Sequence, residues 1–168
     1  MFQQTEIHYF RIVLSIFVLL SAFSDLGYTA EIRVPQDYPS ITNALVVADN
    51  GDEIQVAADT YSEPNEIFPL RIQKAIALIG IPDPNDPNNK PYLRGDGKHT
   101  VVLIESGGVT LQDFKITNGS GSEGINSMDG GGICIFVGPS ETNPVEIENC
   151  IIENNTCPSD ETYDGWRS

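Results

Sequence analysis

The clearest signal along the chain is a pattern of apolar positions that occurs twice. In "VTLQDFKITNG", Val109 and Leu111 alternate with polar residues, then Phe114 and Ile116 do the same. The pattern returns without a gap at "VEIENCIIENN", which begins at Val145. Leu111 matches Ile147, Asp113 matches Asn149, Phe114 matches Cys150, Ile116 matches Ile152 and Asn118 matches Asn154. The offset is 36 residues. Self-similarity at a period of about 20–50 residues marks a repeat architecture. Alternation predicts strands with Val109, Leu111, Phe114 and Ile116 inward. The step of three from Leu111 to Phe114 predicts a bend at Gln112 and Asp113, with Glu148 and Asn149 as its counterpart. In a hairpin the chain would reverse there. In a solenoid it turns a corner and climbs, so matched positions stack and stay apolar. The echo therefore makes Leu111 and Ile147 core residues of adjacent or near-adjacent coils.

The rest of the chain reads as a series of short strands after one helix. Ile32 and Val34 alternate and Pro35 stops the run. In "YPSITNALVVAD" the period changes, and Ile41, Leu45 and Ala48 form one helical stripe. Ser40 is the expected N-cap and Gly51 the expected C-terminal breaker. Strands are expected around Ile54 and Val56, Leu70 and Ile72, Ile76 and Leu78, residues 100–106, and "GGGICIFV" at 130–137. Asn118 and Asn154 close equivalent units. Asn tolerates the left-handed backbone of a tight turn and can bond to the coils above and below.

The first thirty residues follow a different logic. Arg11 precedes an apolar run, "IVLSIFVLLSAF", too short to span a bilayer and about right for a signal-peptide h-region. Residues 1–30 are thus expected to be an export leader, with cleavage after Ser24 or after Ala30. Ala30 is favoured because the ordered pattern begins at Glu31. The mature chain then divides into an N-terminal cap (31–50), coils (51–157) and a tail (158–168). No covering segment follows the echo, so the solenoid is expected to be truncated at its C-terminus.

Charge narrows the partners. The 168-residue chain carries a net charge of −15 with a pI near 4.2. Nucleic acid needs a basic face and is excluded. The mature part has no membrane span. Arg71, Lys74, Arg94, Lys98 and Lys115 read as solvated surface, and His99 has no second ligand at metal spacing. Glu146 and Glu148, stacked over Thr110 and Gln112, are one candidate Ca²⁺ site, and Asp83 and Asp86 in "DPNDPNN" are another, since Ca²⁺ takes oxygen ligands. The competing readings are a solubilising face and a Pro-stiffened loop. Export permits a disulfide among Cys134, Cys150 and Cys157. Cys150 falls at an inward position, and a Cys150–Cys157 bridge would close the last coil.

"YPSITNALVVADNGDEIQVAADTYSE" resembles the N-terminal cap and first coil of right-handed parallel β-helix proteins of the pectin-lyase-like group, with Ala58 and Asp59 where Gly is usual. "ALIG" and "LRGDGKHTVVLIESGGVTLQDFKITNG" are similar to their successive coils. "GGGI" (130–133) and "IENN" (152–155) resemble the paired repeats of polymorphic outer-membrane and autotransporter-type surface proteins, with Ile152 in place of Phe. The resemblance spans 31–157. It implies an all-β, right-handed parallel β-helix solenoid with a short capping helix. It also implies a secreted or cell-surface protein that binds or adheres, with a polysaccharide or cell-surface component as partner. The alternative is the N-terminal part of a polysaccharide-active enzyme of pectate lyase, pectinesterase or glycoside hydrolase type. The motifs "GYQDTL", "DFIFG" and "NTD" of such enzymes do not occur, and no catalytic residue is assigned.

Overall fold

The computed structural model describes residues 29–121, 130–139 and 142–157. The expected leader, apart from Thr29 and Ala30, and the expected tail lie outside the described residues.

β1 (Glu31–Val34) leads to the helix α1 (Ile41–Val47). The strands then recur in threes. β2 (Glu53–Ala57), β3 (Thr60–Tyr61) and β4 (Leu70–Ile72) form the first coil. β5 (Ala77–Ile81), β6 (Tyr92–Arg94) and β7 (Val102–Ile104) form the second. β8 (Thr110–Gln112), β9 (Lys115–Thr117) and β10 (Ile133–Ile135) form the third, and β11 (Glu146–Glu148) and β12 (Ile151–Ile152) begin a fourth. Every pairing between these strands is parallel, in three sheets ordered β1-β2-β5-β8-β11, β12-β9-β6-β3 and β10-β7-β4. Each coil visits the three sheets in turn, which defines a parallel β-helix.

Register turns the repeat into a core. Ile32, Ile54, Leu78, Leu111 and Ile147 form one column. Tyr61, Leu93, Ile116 and Ile152 form a second, and Leu70, Val102 and Ile133 a third. The repeat at 36 residues is therefore one coil. The preceding coil, from Leu78 to Leu111, is shorter, so its register does not share the offset.

The corners explain the step of three. Asp113 and Asn149 both have left-handed backbone, with φ of +63° and +49°. One such residue re-aims the chain, so the bend is made by Asp113 alone and Gln112 belongs to β8. Asn118 and Asn154 occupy the next corner at φ +61° and +54°. The Asn118 side chain donates to the Gly95 carbonyl at 2.6 Å, and its backbone N–H donates to the Asn154 carbonyl at 3.2 Å.

The helix differs in detail from the stripe expected of it. Ser40 caps it, accepting from the Asn43 N–H at 3.2 Å. Its buried face is Ile41 and Ala44, followed by Ala48, while Leu45 is only half-buried. In so short a helix the N-terminal stitching sets the rotation, and it turns Ala44 onto the core. The C-cap is Ala48, not Gly51; Gly51 (φ +92°) serves the tight turn into β2. α1 packs on β1, β2 and β4 and covers that end of the core.

Buried polar groups fasten this cap. Glu66 is 2% exposed, and its carboxylate accepts from the N–H groups of Ile41 and Thr42, each at 2.9 Å, and from the Thr42 hydroxyl at 2.7 Å. A carboxylate at a helix N-terminus satisfies orphan donors. Asp52 accepts from the N–H groups of Ala30 and Asp49, each at 2.8 Å. Those two bonds hold its carboxyl below the usual carboxylate range.

Candidate functional site

A groove of about 410 Å³ lies between α1 and the first coil. Leu45 and Val46 of the helix form one wall. Ile67, Pro69 and the strand β4 form the other, and Arg71, Gln73 and Lys74 supply polar groups. Val46 and Ile67 are 74% and 69% exposed, so both walls present apolar surface to solvent. The groove exists because α1 must cover the core with one stripe, which leaves its Val46 side over the edge of β4.

The basic residues at the groove are anchored. Arg71 makes a two-pronged contact with Glu105, at 2.7 and 3.0 Å, which holds the Glu105 carboxyl below its usual range. Lys74 donates to the Ala48 carbonyl at the end of α1 and lies 3.7 Å from Asp49. Arg71 keeps about half its side chain in solvent, so its outer face can meet a ligand.

The candidate Ca²⁺ residues fall in two separate places. Glu146 and Glu148 are exposed on β11, in register with Thr110 and Gln112. Gln112 Nε2 donates instead to Asp113, at 2.8 Å. Asp83 and Asp86 face each other in an antiparallel bridge. Asp83 accepts from the N–H and side chain of Asn85, and Asp86 from the N–H of Asn88. Among the described residues no group of three or more His, Cys, Asp or Glu side chains is arranged to hold a metal ion.

Of the other residues singled out, Leu111 is fully buried, and Ile147, its neighbour one coil on, is 39% exposed. Cys150 is a half-buried free thiol whose Sγ donates to the Leu111 carbonyl at 3.6 Å. Burial pushes its pKa up, and it packs against the core as a small apolar group. His99 is tied by Nδ1 to Asp96 at 2.5 Å.

One cluster has no counterpart in the sequence pattern. Lys90 is 9% exposed and reaches from the Pro-rich loop across two corners. Its Nζ lies 2.7 Å from Asp113 Oδ1 and 2.5 Å from the Asn149 backbone oxygen. The Asn149 carboxamide donates to the same Asp113 oxygen. A lysine after an oxygen-rich loop is an ordinary surface residue in sequence, and only the stacking of corners buries it.

The fold thus places the chain among parallel β-helix solenoids. Residues 33–160 match the model of the family described as "Protein of unknown function (DUF1565)", a family associated with β-helix repeat proteins, and the chain belongs to it. Neither the curated proteins nor the solved structures compared with the chain include a match. Among the described residues no helix is long and apolar enough to cross a membrane.

Proposed function

We propose that this chain is an exported β-helix protein of the cell surface or extracellular space, and that it binds a polysaccharide or another surface component. The observation that carries the reading is the groove beside the cap. It joins apolar walls (Leu45, Val46, Ile67, Pro69) to hydrogen-bonding groups (Thr42, Arg71, Gln73), a mixture suited to a sugar's C–H faces and hydroxyls. Binding of acidic and neutral polysaccharides by the purified chain, with and without Ca²⁺, tests it. Binding should weaken at least tenfold in a Val46→Glu, Ile67→Glu double variant. No binding to any polysaccharide, or undiminished binding by the double variant, would sink the groove as the site. The cap-and-first-coil resemblance favours a second reading, the N-terminal part of a polysaccharide-active enzyme. Release of unsaturated uronate would select it.

Export rests on the leader, and the fold bears on where it is cut. The Ala30 N–H bonds Asp52, and the Ala30 carbonyl accepts from Glu53 at 2.9 Å. Cleavage after Ala30 would delete both bonds, whereas cleavage after Ser24 keeps them. We therefore favour Asp25 as the mature N-terminus, over the Glu31 start expected from the pattern. Intact mass of the secreted protein decides between them.

A further inference from the structure

We propose that Lys90, Asp113 and Asn149 form a self-processing site, in which Lys90 Nζ and Asn149 Cγ become joined by an isopeptide bond with release of ammonia. Three features converge on one point. Asp113 Oδ1 accepts from both the Lys90 ammonium, at 2.7 Å, and the Asn149 carboxamide. Lys90 Nζ also lies 2.5 Å from the backbone oxygen of Asn149 itself. The Lys90 and Asp113 side chains are only 9% and 14% exposed, while Asn149 lies on the exposed side of the cluster. The stacking of two corners thus gathers the Lys90 amine and the Asn149 carboxamide on one carboxylate oxygen, with Lys90 Nζ also on the Asn149 backbone. Fixing such groups in place replaces a bimolecular encounter with an intramolecular one.

The step balances without an oxidant or cofactor. The Lys90 ammonium passes a proton to Asp113, and the freed lone pair adds to Asn149 Cγ while the carbonyl electrons move onto Oδ1. Asp113 returns the proton to Nδ2. The Cγ–Nδ2 bond breaks as the carbonyl re-forms, and ammonia leaves. The extra proton on the new amide nitrogen passes through Asp113 to the ammonia, which departs as ammonium. The Lys90 charge leaves with it.

Asp113 serves as carrier and not as electrophile. Burial pushes its carboxyl up, but hydrogen bonds from Lys90, Gln112 and Asn149 together with the Lys90 charge outweigh this and hold it below the usual range. An ionised carboxylate resists attack, whereas the neutral carboxamide accepts it. The link would tie residues 59 apart in sequence and lock the fourth coil to the loop between β5 and β6 of the second.

The test is the intact mass of the folded, purified full chain, followed by peptide mapping. The expected result is a mass lower by one ammonia and a branched peptide joining Lys90 to Asn149. Lys90→Arg keeps the cation and its bonds but should retain the full mass, as should Asp113→Ala. Separate Lys90 and Asn149 peptides at full mass would overturn the proposal. So would loss of water with a Lys90–Asp113 link, hydrolysis of Asn149 to aspartate, or a link that persists in Asp113→Ala.

Discussion

The capped end of the solenoid and its last described coil carry the same apolar columns and bury them differently. At the capped end Ile54, Leu78 and Leu111 are fully buried, whereas Ile147, next in the same column, is 39% exposed. Ile116 is fully buried and its neighbour Ile152 is 48% exposed. Residue type and inward geometry are the same, so neither sets the burial. What differs is the neighbour. Leu111 has strands on both sides, while among the described residues β11 pairs with β8 alone. Each coil is a template for the next, and a coil's core is complete only between two others or under a cap.

The sharpest test of that comparison is a pair of truncations. Leu111→Ala should cost about 2–5 kcal/mol, as for a fully buried large-to-small change. Ile147→Ala should cost about 1 kcal/mol, because much of its apolar surface already meets water. Urea unfolding midpoints measure both, and equal losses would break the comparison.

The cap makes the other half of it. Glu66→Ala leaves the Ile41 and Thr42 donors without their partner and should cost about 1–3 kcal/mol. Amide exchange should accelerate in α1 and leave Val145–Asn155 unchanged. In the parent protein the order is the reverse, with Val145–Asn155 exchanging first and α1 last. Early exchange of α1 in the parent would show that the cap does not hold its end.

The corners give a smaller effect. Asn118→Ala loses the bond to Gly95 and forces Ala into left-handed backbone, for about 1–2 kcal/mol. Asn118→Gly keeps the backbone and should lose less. If Gly is as costly as Ala, the side-chain bond and not the φ angle sets the corner.

The smallest expected effect is on pH dependence. Asp52 and Glu105 both have folded pKa values below their ordinary ones, through the N–H groups of Asp49 and Ala30 and through Arg71 respectively. A depressed carboxyl pKa stabilises the fold fully above the unfolded value and loses that contribution as pH falls through the folded one. The melting temperature should therefore decline below the ordinary values, 4.5 for Glu105 and 3.8 for Asp52, and less steeply in Asp52→Asn. A flat profile in the parent would mean that neither carboxylate contributes.

The sequence by itself determined the repeat, and through it the parallel architecture. Leu111 and Ile147 align because stacked coils demand the same side chain at the same place. The corner at Asn118 and Asn154 was legible for a related reason, since an Asn recurring at the end of each unit announces left-handed backbone, whereas the bend at Asp113 was read as two residues and takes one. The strands β3 and β6 were not legible. Each brings one inward residue, Tyr61 or Leu93, to the core, and one residue has no alternation to read. The burial of Ile147 was hidden as well, because its pattern matches that of Leu111 and only the pairing of β11, with β8 alone among the described residues, sets the two apart. The groove, the Glu66 stitch and the Lys90–Asp113–Asn149 contact belong to tertiary structure alone. Each joins residues from different turns of the solenoid, and loops of unequal length decide which of them meet.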